Sequence, residues 1–225
     1  MIKKTIKIIV VMLLISLLIV MSIMLYYLIV DIQTKKPKEL EGTCQVETKQ
    51  FMERNIFIVT PKNKEKSAIK ILYFHGGSYV AEATEKHWKF VQQIVNDTGA
   101  TVILPDYPLA PKYTYKDVFE MIVPLYKEII EKVDINNLIL MGDSAGGGLG
   151  LALEEKVGEE KLPMPIKTIL ISPWLDVRLT NPAIDEVQKN DKELNKETLK
   201  LAGIAYAGKE RNGQLSSKPN RRRYI

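Results

Sequence analysis

The sequence predicts an α/β fold, a mostly parallel sheet with helices on both faces, preceded by one N-terminal transmembrane helix. Three observations predict it. Short apolar, β-branched runs alternate with stretches of helical periodicity between residues 54 and 207. A glycine-rich turn, Gly142-Asp143-Ser144-Ala145-Gly146, joins an apolar run to a helical pattern. Residues 8–30 form an unbroken apolar run in which Ser16 and Ser22 are the only mild interruptions.

That N-terminal run reaches roughly 35 Å as a helix, enough for a hydrocarbon core of about 30 Å with some tilt. Tyr26 and Tyr27 stand near its far end, where an aromatic belt forms. A cleavable signal peptide competes with an anchor here, but the run exceeds a usual signal core and no small-x-small site follows it. A buried soluble helix is the third reading, and length without charge argues against it. Lys3, Lys4 and Lys7 precede the run and Lys35, Lys36 and Lys38 follow it, so charge leaves orientation nearly balanced. A short basic N-terminus ahead of a first span tends to stay in the cytoplasm, which places the main domain on the far side.

Residues 31–50 read as a polar linker, with Pro37 and no periodicity. The main domain is expected over residues 51–208. Residues 54–60 and 69–74 read as a strand pair separated by a lysine-rich turn at residues 61–66. Residues 84–97 carry Trp88, Val91, Ile94 and Val95 at helical spacing, with Gly99 as the stop. A strand at residues 101–104 is closed by Pro105, and residues 117–133 read as a helix with a kink at Pro124. Residues 138–141 form the next strand, residues 149–157 the helix after the glycine-rich turn, residues 168–172 another strand, and residues 195–207 a last helix. No internal repeat is present.

Composition narrows the function. The net charge of +5 comes from residues 209–225, where six basic residues face one acid, Glu210, and the remainder of the chain is neutral in sum. This basic stretch reads as a disordered tail. No basic surface interleaved with aromatics occurs elsewhere, so no nucleic-acid partner is expected. One cysteine, Cys44, excludes an internal disulfide and gives no metal cluster, and no cofactor is expected.

The chemistry gathers at the G-x-S-x-G turn. Between a strand and a helix this pattern becomes a nucleophile elbow, in which Ser144 stands clear at the strand's carboxyl end. Gly142 and Gly146 admit the tight turn, and the N–H groups of the following helix favour developing negative charge. The bland reading is a glycine-rich turn holding an incidental serine. A second motif, His75-Gly76-Gly77-Ser78-Tyr79, follows the strand at residues 69–74. Two glycines there let backbone N–H groups turn toward an oxyanion, and losing one such donor typically costs about 100- to 1000-fold in rate. A plain strand-to-loop turn is the alternative.

With these motifs in this order, the sequence resembles the α/β-hydrolase superfamily, in its hormone-sensitive-lipase-like esterase branch. His75-Gly76-Gly77, Asp106-Tyr107-Pro108-Leu109-Ala110-Pro111 and Gly142-Asp143-Ser144-Ala145-Gly146-Gly147 carry the resemblance, with Ser172-Pro173-Trp174-Leu175-Asp176 as a fourth, weaker match. The resemblance implies an α/β-hydrolase fold and carboxylic-ester hydrolysis of a small acyl ester, with Ser144 as nucleophile. It implies an oxyanion hole from the N–H groups of Gly76, Gly77 and Ala145, and supporting roles for His75, Asp143, Gly142 and Gly146. Ser78 stands where the family carries a third glycine, and Pro108 where it carries arginine or a similar residue.

The resemblance also implies an acid and a histidine after the serine. The sequence contains two histidines, His75 and His87, and both precede Ser144. His75 belongs to the oxyanion motif, and His87 reads as a packing or capping residue at a helix start. Of the later carboxylates Asp176, Asp185 and Asp191, Asp176 matches a structural element, and none is assigned as the acid. The chain is therefore expected to stop short of the family's last two strands. The abrupt change in character after Gly208 is what a shifted frame or early stop gives, an evolved basic tail being the alternative. The reading is a membrane-anchored ester hydrolase impaired because the acid and base of the triad are missing, against a non-catalytic membrane-anchored hydrolase-fold fragment or binding module that keeps the pocket.

Overall fold

The computed structural model of the chain describes residues 2–29, 33–35, 40, 42–62 and 65–208. The chain falls into two units, Met1–Ile32 and Gln33–Ile225. The first is helix α1 (Ile2–Ile29), whose side chains are exposed throughout its most apolar stretch, Thr5–Ile23, of mean hydropathy 3.0. By length and composition this helix is able to cross a membrane, a test that an N-terminal signal sequence also passes. The expected basic tail, residues 209–225, lies outside the described residues.

The second unit is built on six strands: β1 (Cys44–Phe51), β2 (Arg54–Pro61), β3 (Lys70–Phe74), β4 (Thr101–Pro105), β5 (Leu138–Asp143) and β6 (Lys167–Ile171). They lie in the order β1-β2-β4-β3-β5-β6. Strands β4, β3, β5 and β6 run parallel, while β1 and β2 are antiparallel to their neighbours. The sheet thus opens at Cys44, inside the stretch read as linker, and Thr34, Leu40 and Cys44 are buried in this unit.

The expected pairing of β2 with β3 is not formed. Helix α2 (Glu85–Thr98) carries the chain from β3 over to β4, and β4 takes the edge of β3 that a hairpin with β2 would need. The hairpin partner of β2 is β1, joined through Met52 and Glu53, both with positive φ of 48° and 63°. Two such residues in succession make the mirror-image turn that suits the twist of a two-residue hairpin.

Helices cover both faces, as the strand pattern requires. On one face Trp88, Val91 and Val95 of α2 pack with Phe57, Val59, Ile71, Tyr73, Val102 and Leu104. Side chains alternate along a strand, so Leu72 and Phe74 of β3 point to the other face. There α4 (Ser144–Glu159) packs against β3, β5 and β6, and α3 (Tyr115–Lys132) packs beside α4. Helix α3 runs through Pro124 without ending there. A short helix not expected from the sequence, α5 (Ile184–Gln188), precedes α6 (Lys196–Ala207). Asn195 caps α6 by accepting from the Thr198 N–H at 3.0 Å.

Parallel strands align their carboxyl ends. The loops after β3, β4 and β5 therefore emerge at one edge of the sheet, and each begins one of the three motifs singled out above.

Candidate active site

Ser144 sits at the carboxyl end of β5 as the first residue of α4, with φ of +50°. A serine held in the left-handed region is strained, and the surroundings keep it there. Its carbonyl accepts from the Trp174 N–H at 2.8 Å, which ties the elbow to the loop after β6. The two flanking glycines have no alternative: a Cβ on Gly142 would run into the Gly146 carbonyl, and one on Gly146 into the Phe74 carbonyl. The spacing of the motif is thus the spacing at which β5, β3 and the start of α4 touch backbone to backbone. Ala145 lies in the first turn of α4, where N–H groups have no partner within the helix.

Asp143 is the hub of the edge. One carboxylate oxygen accepts from the Tyr73 hydroxyl at 2.5 Å and from the Gly76 N–H at 2.9 Å, and the other meets His87 Nε2 at 3.3 Å. Burial alone would raise its pKa. Hydrogen bonds from His87, Tyr73 and the Gly76 N–H outweigh burial and hold the carboxyl below its ordinary range. Burial, and then Asp143 itself, push the Tyr73 phenol up, so it remains a donor. The Gly76 N–H, assigned to the oxyanion hole by resemblance, is thus directed to Asp143. Gly77, with φ of +118°, and Ala145 carry the other two assigned N–H groups.

Both histidines are engaged in structure. His75 is fully buried, stacked on Tyr107 with ring centroids 4.5 Å apart, and its Nδ1 lies 2.7 Å from the Gly76 carbonyl. Burial lowers its pKa to about 4, so the ring is neutral at pH 7. His87 occupies the third position of α2, where its Nδ1 accepts from the Thr84 N–H at 2.9 Å while Nε2 faces Asp143. With one nitrogen on the cap and the other on Asp143, His87 caps its helix, one of the two roles read from the sequence, and braces the elbow besides. Neither nitrogen is bonded to Ser144.

The later carboxylates are likewise occupied. Asp176 accepts from the backbone of Arg178 and Thr180 and from the Thr180 hydroxyl, closing its own turn. Asp185 pairs with Lys196, and Asp191 accepts from the N–H groups of Glu193 and Leu194. Beside Ser144 lies a cavity of about 290 Å³ walled by Trp174, Leu179, Ile184, Val187 and Leu199. Its walls are mostly apolar, with Asn181, Gln188, Asp191 and Lys196 among them, and the apolar part suits a hydrocarbon chain next to a reacting carbonyl. Among the described residues no cluster of His, Cys, Asp or Glu is arranged to hold a metal ion.

Tyr73 and Thr34 are the residues of this edge that sequence reasoning does not reach. Tyr73 is one more apolar letter in a buried strand, and its hydroxyl matters only because β5 brings Asp143 beside it.

A six-stranded mixed sheet with helices on both faces and a strained serine between β5 and α4 has the architecture of an α/β hydrolase. Residues 71–221 match the alpha/beta hydrolase fold family. The chain belongs to that family, on its hormone-sensitive-lipase-like branch. It is 33% identical over 137 residues to an esterase of Acinetobacter venetianus, covering 60% of this chain and 45% of that protein. It is 34% identical over 108 residues to a triacylglycerol lipase of Mycobacterium tuberculosis, covering 48% of this chain and 25% of that protein. A crystal structure of an esterase from the bacterial hormone-sensitive lipase family superposes with a TM-score of 0.67 at 26% identity, covering 73% of this chain and 56% of the other. The hormone-sensitive-lipase homologue EstE7 from a metagenome library gives 0.69 at 27% identity, covering 75% and 58%. The chain spans less than half the length of these two relatives and less than two thirds of the two structures.

Proposed function

We propose that this chain is a membrane-anchored carboxylic-ester hydrolase of the esterase/lipase kind, acting through an acyl-enzyme on Ser144. The observation that carries the reading is the strained Ser144, first residue of α4, lining an apolar cavity at the edge where three motif loops meet. The Ser144 Oγ attacks the ester carbonyl carbon, and the carbonyl electron pair moves onto oxygen. The N–H groups of Gly77 and Ala145 hold that oxyanion, the hydrogen of Gly76 being given to Asp143. Collapse breaks the ester carbon–oxygen bond, the leaving oxygen takes up by way of water the proton released from the Ser144 hydroxyl and departs as the alcohol, and water then hydrolyses the ester on Ser144 to the acid and free serine. The apolar cavity receives the acyl chain, and α1 holds the chain at a membrane.

The serine proton needs an acceptor; both His87 nitrogens are engaged by Thr84 and Asp143, and His75 is fully buried with one nitrogen on the Gly76 carbonyl. Turnover by these 225 residues alone is accordingly slow, a residual of roughly 1000- to 10,000-fold over water from oxyanion binding and positioning. The same engagement of both histidines favours a second reading, a module that binds acyl esters without turning them over.

Hydrolysis of short p-nitrophenyl esters separates the two. Slow release abolished by Ser144→Ala is the expected outcome. Ester binding with no release in either protein supports the binding module. Release that is unchanged in Ser144→Ala overturns the assignment of the nucleophile.

A further inference from the structure

The loop between β3 and α2, residues 75–84, carries the Gly77 N–H and is fixed at several points. The His75 carbonyl accepts from the Tyr107 hydroxyl at 2.7 Å, and the Gly76 N–H donates to Asp143. In the middle, the Tyr79 carbonyl accepts from the Ala110 N–H at 2.8 Å. All of these partners belong to the motif loops or the strands that support them. The far end is held differently. The Ala83 N–H donates to the Thr34 hydroxyl at 3.3 Å, and the Thr34 N–H donates to Asp106 Oδ1 at 3.0 Å.

Thr34 lies ahead of the whole sheet in sequence, five residues after the last residue of α1. It is nevertheless 3% exposed, as thoroughly buried as a core leucine. One residue thereby joins the loop after β3 to the loop after β4, using its backbone for one and its side chain for the other. A small polar residue with a hydroxyl is needed for this, because both bonds are made out of water's reach, where an unmade bond is costly.

We infer that Thr34 is a positioning residue for the oxyanion loop: the segment that joins α1 to the hydrolase unit fixes the far end of the loop that presents the Gly77 N–H. The inference rests on the reading of that loop as an oxyanion hole. It makes the order of the loop depend on a residue that precedes the whole sheet in sequence.

The test uses the full chain in detergent micelles and reads amide hydrogen exchange over residues 76–84, with α3 and β5 as internal references. Thr34→Val keeps the shape and the N–H bond to Asp106 but removes the acceptor for Ala83, and Thr34→Ser keeps the acceptor. The expected result is exchange at the end of the loop raised about fivefold or more in Thr34→Val, with the references unmoved and Thr34→Ser within about twofold of the parent. Should Thr34→Val fail to fold, Thr34→Ala is read in the same way against Thr34→Ser. Unchanged exchange in the loop, an equal rise in α3 and β5, or a serine variant as loose as the valine one overturns the inference. Exchange at the loop requires no ester turnover, so failure of the hydrolase reading and failure of this inference are seen in different measurements.

Discussion

At the scale of single residues, the elbow is a problem of space before it is one of chemistry. Gly146 leaves no room for even a methyl group, since the Phe74 carbonyl fills the position a Cβ would take. Gly150, one turn further along α4, is different: its Cβ would rest 3.8 Å from the Phe74 ring, in ordinary van der Waals contact. Gly146→Ala is therefore expected to cost about 3 kcal/mol or more through backbone displacement. Gly150→Ala is expected to be neutral or to stabilise by about 0.5–1 kcal/mol, because alanine loses less entropy in a helix. Thermal or denaturant melts of the two variants decide this, and equal losses in both refute the account of the elbow. The spacing of Gly142, Ser144 and Gly146 was legible in the sequence because it encodes these backbone contacts. The partners of Asp143 were not, since Tyr73 and His87 lie 70 and 56 residues away and only the sheet brings them together.

At the scale of elements, what could be read was what a segment's own periodicity determines. Helices α2, α3 and α6 and strands β3 to β6 announce themselves by apolar spacing and by capping residues such as Thr84, Gly99 and Asn195. Strand β1 does not, because Cys44–Phe51 exposes most of its side chains and its turn uses Met52 and Glu53 where Asn-Gly would be the usual sign. Pairing is less legible still: whether β2 meets β3 depends on where α2 delivers the chain. Helix α1 carries a prediction of its own at this scale. Its apolar side chains are exposed throughout Thr5–Ile23, and burying such a surface in lipid is strongly favourable. The full chain should sediment with membranes and resist carbonate extraction, whereas a chain beginning at Gln33 should not. Recovery of the full chain in the soluble fraction sinks the anchor. Beginning at Gln33, with Thr34 retained, also keeps the bond from the Ala83 N–H to the Thr34 hydroxyl.

At the scale of the whole molecule, the site is a junction of secondary structures, and its protonation is linked to the stability of the fold. His75 is fully buried between the loops after β3 and β4, and its pKa is lowered to about 4 from an ordinary 6.5. An unfolded chain takes up this proton near pH 6.5, while the folded chain refuses it until about pH 4. The unfolded state thus binds more protons throughout that window, and stability falls as the pH is lowered through it. The loss amounts to about 3 kcal/mol when complete, since each unit of difference corresponds to roughly 1.4 kcal/mol. Asp143 acts in the same direction but lower down. Its folded pKa lies below that of a free carboxyl, so its contribution is intact above the unfolded value and disappears only as the pH falls through the folded one. The expected profile is a melting temperature flat above about pH 7 and declining steadily from there to about pH 4, with a further fall in stronger acid as Asp143 is protonated. His75→Phe preserves the stack on Tyr107 and removes the titrating group, so it should flatten the upper decline and leave the lower one. A decline of unchanged slope between pH 6.5 and 4 in that variant would place its origin elsewhere in the fold.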